Sequence, residues 1–124
     1  MAKKIIVIDD SETVRQQIRE AVTRAGYQVV EAEDGVAGLD TIRTHSDAAL
    51  VLCDISMPRM TGLDLLEALR KTPRHATLPV VMVTTEGHGE LIAKAKQFGA
   101  KGWMVKPFQP DMLVTLVKKI AGPA

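Results

Sequence analysis

Two adjacent carboxylates, Asp9-Asp10, follow the apolar run Ile5 to Ile8, and a third, Asp54, follows the run Ala49 to Cys53. Thr84-Thr85 closes the run Val80 to Val83, and Lys106-Pro107 closes Gly102 to Val105. If these runs lie side by side, three carboxylates, a hydroxyl and an ammonium meet at one edge. Crowded carboxylates repel and raise one another's pKa values, so such a cluster costs stability unless a cation neutralises it. Mg²⁺ suits it, being a small hard cation that takes one or two carboxylates plus water and phosphate oxygens. A carboxylate is also a nucleophile toward phosphorus. Phosphoryl transfer to it needs charge neutralisation and alignment, which the metal, Lys106 and a hydroxyl such as Thr84 would supply.

Each residue taken singly has a plainer reading. A lone strand-end Asp is usually a turn residue or a helix N-cap, and Asp10 could simply start the first helix. Thr84 could be a solvated β-branched residue and Lys106 a surface lysine. The joint pattern weighs against this, because the polar residues recur at matching ends of runs that are otherwise almost purely apolar.

The elements that would position them follow from periodicity. Ile5 to Ile8, Gln28 to Ala32, Ala49 to Cys53, Val80 to Val83 and Gly102 to Val105 read as five short strands. Between them, helical spacing sets Val14, Ile18, Ala21, Val22 and Ala25 on one face, stopped by Gly26. Val36, Leu39 and Ile42 suggest a second helix, and Leu65, Leu66 and Leu69 a third that starts after Gly62 and ends before Pro73. Leu91, Ile92, Ala95 and Phe98 mark a fourth, stopped by Gly99. Leu113, Leu116, Val117 and Ile120 line a last helix after Pro107 and Pro110. Five βα units with right-handed crossovers require a parallel sheet with helices on both faces. In such sheets ligands bind beyond the carboxyl ends of the strands, which is where the polar residues fall.

The chain of 124 residues fits one domain, 1–124. Its 16 basic and 15 acidic residues leave a net charge of +1, which gives no electrostatic case for nucleic acid or a membrane as main partner. No apolar run approaches the roughly 20 residues of a membrane span, and no secretory leader is evident, so a cytoplasmic protein is expected. Cys53 is the only cysteine, which excludes an internal disulfide and a Cys-based zinc site.

Asp9-Asp10, Asp54-Ile55-Ser56-Met57-Pro58, Gly62, Thr84 and Lys106-Pro107-Phe108 together resemble the signature of the response-regulator receiver family, and specifically its stand-alone, chemotaxis-regulator-like members. The similarity runs from Lys3 to about Ile120. It implies a flavodoxin-like, doubly wound five-stranded parallel sheet of strand order 2-1-3-4-5. It implies Asp54 as phosphoacceptor, with Mg²⁺ ligated by Asp10, Asp54 and the backbone carbonyl of Ser56, and Asp9 acting through metal-bound water. Lys106 would contact the phosphoryl oxygens, and Thr84 would move to hydrogen-bond them. Trp103 stands where the family usually has the Tyr or Phe that rotates on activation. Thr85 stands where Ala, Ser or Gly is commonest, and its bulk would narrow access to Asp54.

The resemblance implies a switch in a two-component phosphorelay that catalyses only its own phosphorylation and dephosphorylation. A sensor histidine kinase would be the phosphodonor. With no output domain expected after Ala124, the signal would leave through the face of the fourth helix, fifth strand and fifth helix, with Lys96, Lys101, Trp103 and Met112 as candidates.

Three rivals are weighed. A hydrolase of the haloacid dehalogenase class needs a D-x-D motif after its first strand and a substrate cap, whereas here the pair is adjacent and the chain has little room for a cap. A flavin or nucleotide binder needs Gly, Ser or Thr in the first loop, where Asp9-Asp10 would repel phosphate. A receiver that takes no phosphate would not fill all five signature positions. Ser56 and Glu86 would flank an attacking water and tune dephosphorylation, or merely face solvent. His45, His75 and His88 lack ligand spacing and read as surface residues. Cys53 reads as a small core residue. Gly87 and Gly89 suggest a mobile loop around His88.

Overall fold

The computed structural model describes residues 2–85 and 89–124. Glu86, Gly87 and His88 lie outside the described residues, as do the readings made for them. Five strands alternate with five helices: β1 (Lys4–Ile8), α1 (Glu12–Arg24), β2 (Gln28–Ala32), α2 (Gly35–Thr44), β3 (Leu50–Asp54), α3 (Gly62–Lys71), β4 (Val80–Thr84), α4 (Gly89–Gln97), β5 (Gly102–Val105) and α5 (Pro110–Ala121). A 3₁₀ turn, Pro73–His75, follows α3. The sheet is parallel throughout, in the order β2-β1-β3-β4-β5.

Local chemistry sets the helix ends. The Ser11 hydroxyl accepts from Val14 N–H and the Asp34 carboxylate from Ala37 N–H, satisfying donors that the first turn leaves open. Thr61 and Asp64 form a reciprocal capping box at the start of α3. Pro110 opens α5, where its missing N–H costs nothing. Gly26 follows α1 at φ +101° and Gly99 follows α4 at φ +83°, so both expected stops use the left-handed backbone that glycine adopts cheaply.

Strand side chains alternate between two faces. Ile5, Val7, Leu50, Leu52, Val81 and Val83 pack with Ile18 and Val22 of α1 and with Leu113 and Val117 of α5. Ile6, Ile8, Val51, Cys53, Val80 and Met82 pack with Ile42 of α2, Leu65, Leu66 and Leu69 of α3 and Ala95 of α4. The apolar character of β1, β3 and β4 on successive residues follows from this double coverage.

Several local expectations are corrected. β3 begins at Leu50 and includes Asp54, and α3 begins on Gly62 itself. Val36 is 44% exposed, because α2 turns Gly35, Gly38 and Ile42 inward instead. His75 is buried, not a surface residue: the 3₁₀ turn folds it beneath the end of α3. Burial, then the neighbouring Arg74 and Arg43, lower its pKa and favour the neutral ring. On α4 only Ala95 is fully buried, with Leu91 and Ile92 half-buried, as is Phe98 just after its end.

Candidate functional site

The parallel register brings one end of every central strand to the same edge. Ile8 pairs with Cys53, Asp54 with Val83 and Thr84 with Val105. Asp9 and Lys106 come one residue after β1 and β5, and Asp54 and Thr84 end β3 and β4. Residues far apart in the chain therefore converge without any long loop.

Asp9 is almost wholly buried, and its carboxylate is used on both oxygens. Oδ1 accepts from the Ser11 N–H at 2.9 Å, and Oδ2 accepts from Lys106 Nζ at 2.7 Å. Lys106 Nζ also lies 3.6 Å from Asp54 Oδ2, so one ammonium bridges two carboxylates. Asp54 Oδ1 takes the Ser56 N–H at 3.3 Å. Asp10 is exposed, and the N-cap of α1 is Ser11, so Asp10 is not the residue that starts the helix. One carboxylate oxygen from each of Asp9, Asp10 and Asp54 falls within 4.8 Å of the others.

The electrostatics match this crowding. Burial first, then the charge of Asp9, raise the Asp54 pKa to about 6; Lys106 and the Ser56 N–H oppose the rise, and Asp10 adds to it. Lys106 thus does not fully compensate the acidic pair beside it. Hard oxygen donors in a tight, partly buried group fit a divalent cation.

Gly62 has a physical reason to be glycine. A Cβ there would lie 2.3 Å from the Asp54 carbonyl oxygen and 2.9 Å from Ile55 Cα, and neither backbone atom can yield. The close approach lets the Gly62 N–H bond Ile55 O at 2.9 Å and seats α3 against the end of β3. The Lys106-Pro107 peptide is cis, and the Lys106 N–H donates to the Thr84 carbonyl at 2.6 Å.

Asp9, Asp10, Asp54 and Lys106 are brought together as the spacing suggested, with the Ser56 backbone beside them. Thr84 is buried at the end of the neighbouring strand and Thr85 is exposed. Trp103 lies on the edge strand, 41% exposed, with Lys96 Nζ 4.3 Å from its ring centroid in a cation–π contact. The sequence reading missed Arg15, whose Nη1 donates to the Asp9 carbonyl at 2.6 Å. An arginine on an amphipathic helix carries no signal of that role. Cys53 is buried as expected, and burial pushes its thiol pKa up.

A five-stranded parallel sheet of this order, with an acidic triad and a lysine at its carboxyl edge, is the arrangement of the response-regulator receiver class. Comparison with known proteins agrees. The family model of the response regulator receiver domain matches residues 5–118, and the chain belongs to that family. The chemotaxis protein CheY1 of Helicobacter pylori is 36% identical over 120 residues, covering 96% of this chain and 97% of that protein. The chemotaxis protein CheY of Pseudomonas aeruginosa is 39% identical over 118 residues, 94% of each. The structure of the Vibrio cholerae chemotaxis response regulator CheY4 superposes with a TM-score of 0.90 at 32% identity, covering 97% of this chain and 99% of that one. The chain is thus a CheY-like receiver of two-component signalling, a class of switches and not of classical enzymes. Such receivers work between histidine kinases and downstream proteins. Among the described residues no helix is long and apolar enough to cross a membrane.

Proposed function

We propose that residues 1–124 act as one receiver that accepts a phosphoryl group on Asp54 from a sensor histidine kinase, with Mg²⁺ as cofactor. The observation that carries this reading is the convergence of the Asp9, Asp10 and Asp54 oxygens within 4.8 Å, with Lys106 bridging two of them. A carboxylate oxygen of Asp54 attacks phosphorus, the bond to the donor's imidazole nitrogen breaks, and an acyl phosphate forms while the imidazole regains a proton. Asp10, Asp54 and the Ser56 carbonyl would hold Mg²⁺, with Asp9 acting through its water. When bound, the cation supplies charge neutralisation for the crowded carboxylates and the incoming phosphoryl oxygens. Lys106, held by Asp9 at 2.7 Å, supplies a second positive charge 3.6 Å from the acceptor oxygen.

Output follows from a small displacement. Thr84, buried behind the acceptor, would move to donate its hydroxyl to the phosphoryl group. That movement changes the space beside β5 and biases Trp103 between an exposed and a more buried ring. A charge-assisted hydrogen bond, worth roughly 1.5–3 kcal/mol, is enough to shift such an equilibrium. The surface read by the partner is that of α4, β5 and α5, where Trp103, Val105 and Met112 are exposed large apolar residues beside Lys96 and Lys101. A protein partner in the cytoplasm suits this face; the net charge of +1 gives no footprint for nucleic acid or a membrane.

The test is incubation with acetyl phosphate and Mg²⁺. One labile phosphoryl group should be added to the wild type, none without the metal, and none to Asp54→Asn. Equal labelling of the Asn variant overturns the assignment.

A further inference from the structure

We propose that Arg15, near the start of α1, is a positioning residue that fixes the peptide between Asp9 and Asp10, and so sets where Asp10 stands relative to Asp54. This rests on the metal-binding reading above. The Asp9 backbone is held from two sides. Its N–H donates to the Ala32 carbonyl of β2 at 3.1 Å, and its carbonyl accepts from Arg15 Nη1 at 2.6 Å. With the Ser11 N–H on Oδ1 and Lys106 on Oδ2, every polar atom of Asp9 is engaged. Asp10 is attached through that carbonyl and is itself exposed. Turning the Asp9–Asp10 peptide would swing the Asp10 carboxylate, so the hydrogen bond to Arg15 restrains a candidate ligand that little else confines.

Arg15 is in turn fixed. Its Nε donates to Glu31 Oε1 at 3.2 Å, and the other Glu31 oxygen takes Arg19 Nη1 at 2.5 Å. The Arg15 side chain is 15% exposed, against 44% for Arg19. Glu31 precedes Ala32 on β2, so the same strand holds Asp9 directly through Ala32 and indirectly through Glu31 and Arg15. A planar fork suits this task, since one guanidinium reaches a carboxylate and a carbonyl at once. Groups behind a metal ligand set its orientation, and their loss typically weakens metal affinity 10–100-fold.

A role through charge alone predicts the opposite sign. Removing a cation near an acidic cluster should tighten Mg²⁺ binding, whereas releasing the Asp9–Asp10 peptide should weaken it. The sign of the change therefore separates the two roles. Mg²⁺ is titrated into wild type, R15Q and R19Q while backbone amide resonances are followed, which also reports whether each variant is folded. Both variants lose one positive charge and keep Glu31, but only the first loses the bond to Asp9. The expected result is an Mg²⁺ Kd raised about tenfold in R15Q and changed less than about twofold in R19Q. Should R15Q not fold, Arg15→Lys, which keeps the charge without the fork, should still bind more weakly than R19Q. Equal Kd values for R15Q and R19Q overturn the role of Arg15 and leave the metal site standing. A wild type that binds no Mg²⁺ overturns both.

Discussion

β3 and β5 lie in one sheet with only β4 between them, yet they are built for opposite purposes. All five residues of β3 are buried, from Leu50 to the acceptor candidate Asp54. On β5 only Met104 is buried, and Trp103 and Val105 are 41% and 40% exposed. β3 has strands on both sides and helices on both faces. β5 is an edge, and among the described residues no strand covers its outer side. The proposed acceptor thus sits on the most tightly packed part of the sheet, while the proposed partner surface sits on the part with the fewest packing constraints. A switch needs this division, because the acceptor geometry has to survive while a face remote from it changes.

Core truncation should break the symmetry most. Leu52→Ala removes a fully buried side chain from β3 and should cost about 2–5 kcal/mol. Trp103→Ala on β5 should cost well under that, and it should leave phosphoryl uptake close to wild type. Chemical denaturation of both variants, with acetyl phosphate labelling of the second, checks the pair. Equal losses of stability would mean that β5 is as tightly integrated as β3.

The next effect is the pH dependence of the metal-free protein. Asp54 has a folded pKa raised to about 6, above the usual carboxylate value. The folded state therefore binds this proton more tightly than the unfolded chain does. The stabilisation from this group is complete below about pH 4 and is lost as pH rises through 6. At about 1.4 kcal/mol per pKa unit the change is at most about 3 kcal/mol. Melting temperatures in chelator should show this component falling between pH 4 and 7. Asp54→Asn should remove it and be the more stable protein at pH 8. A wild type and Asn variant with parallel pH profiles would count against the raised pKa.

Gly62→Ala tests how closely α3 must approach β3. The added methyl meets backbone 2.3 Å away, so a loss of about 1–3 kcal/mol is expected, read as a lower melting temperature. Mg²⁺ should act in the other direction. At ten times its Kd the linkage gain is about 1.4 kcal/mol, and Asp10→Asn should lose most of it. An unchanged melting temperature in millimolar Mg²⁺ would remove the support for a metal site.

The smallest expected effect links the two regions. Beryllofluoride with Mg²⁺ mimics the phosphoryl group and should shift the emission of Trp103, the sole tryptophan, relative to the Mg²⁺-only spectrum. Thr84→Ala should blunt the shift while leaving phosphoryl uptake largely intact. Saturating beryllofluoride with no spectral change would mean that β5 does not respond to β3.

Much of this was determined by the sequence alone. Four apolar runs of four or five residues, each followed by Asp, Thr or Lys, were enough to place β1, β3, β4 and β5 and to name the residues at their ends, while β2 (Gln28–Ala32) carries polar residues and no such mark. The reason is that strand burial on both faces leaves a local mark, an unbroken apolar run, and the first polar residue marks where it stops. Glycine stops at Gly26 and Gly99 were equally local, since the left-handed backbone is a property of one residue. Tertiary structure alone decided the pairings. Lys106 bonds to Asp9 across 97 positions, Arg15 reaches the Asp9 carbonyl, and His75 is buried by a turn that no periodicity marks. Val36 fits the helical pattern of a core residue but faces solvent, because Gly38 brings α2 close to Ile8 of β1 along a neighbouring stripe. These outcomes depend on distances between elements remote in sequence, and the pattern along one strand or helix contains no information about what the next element will place beside it.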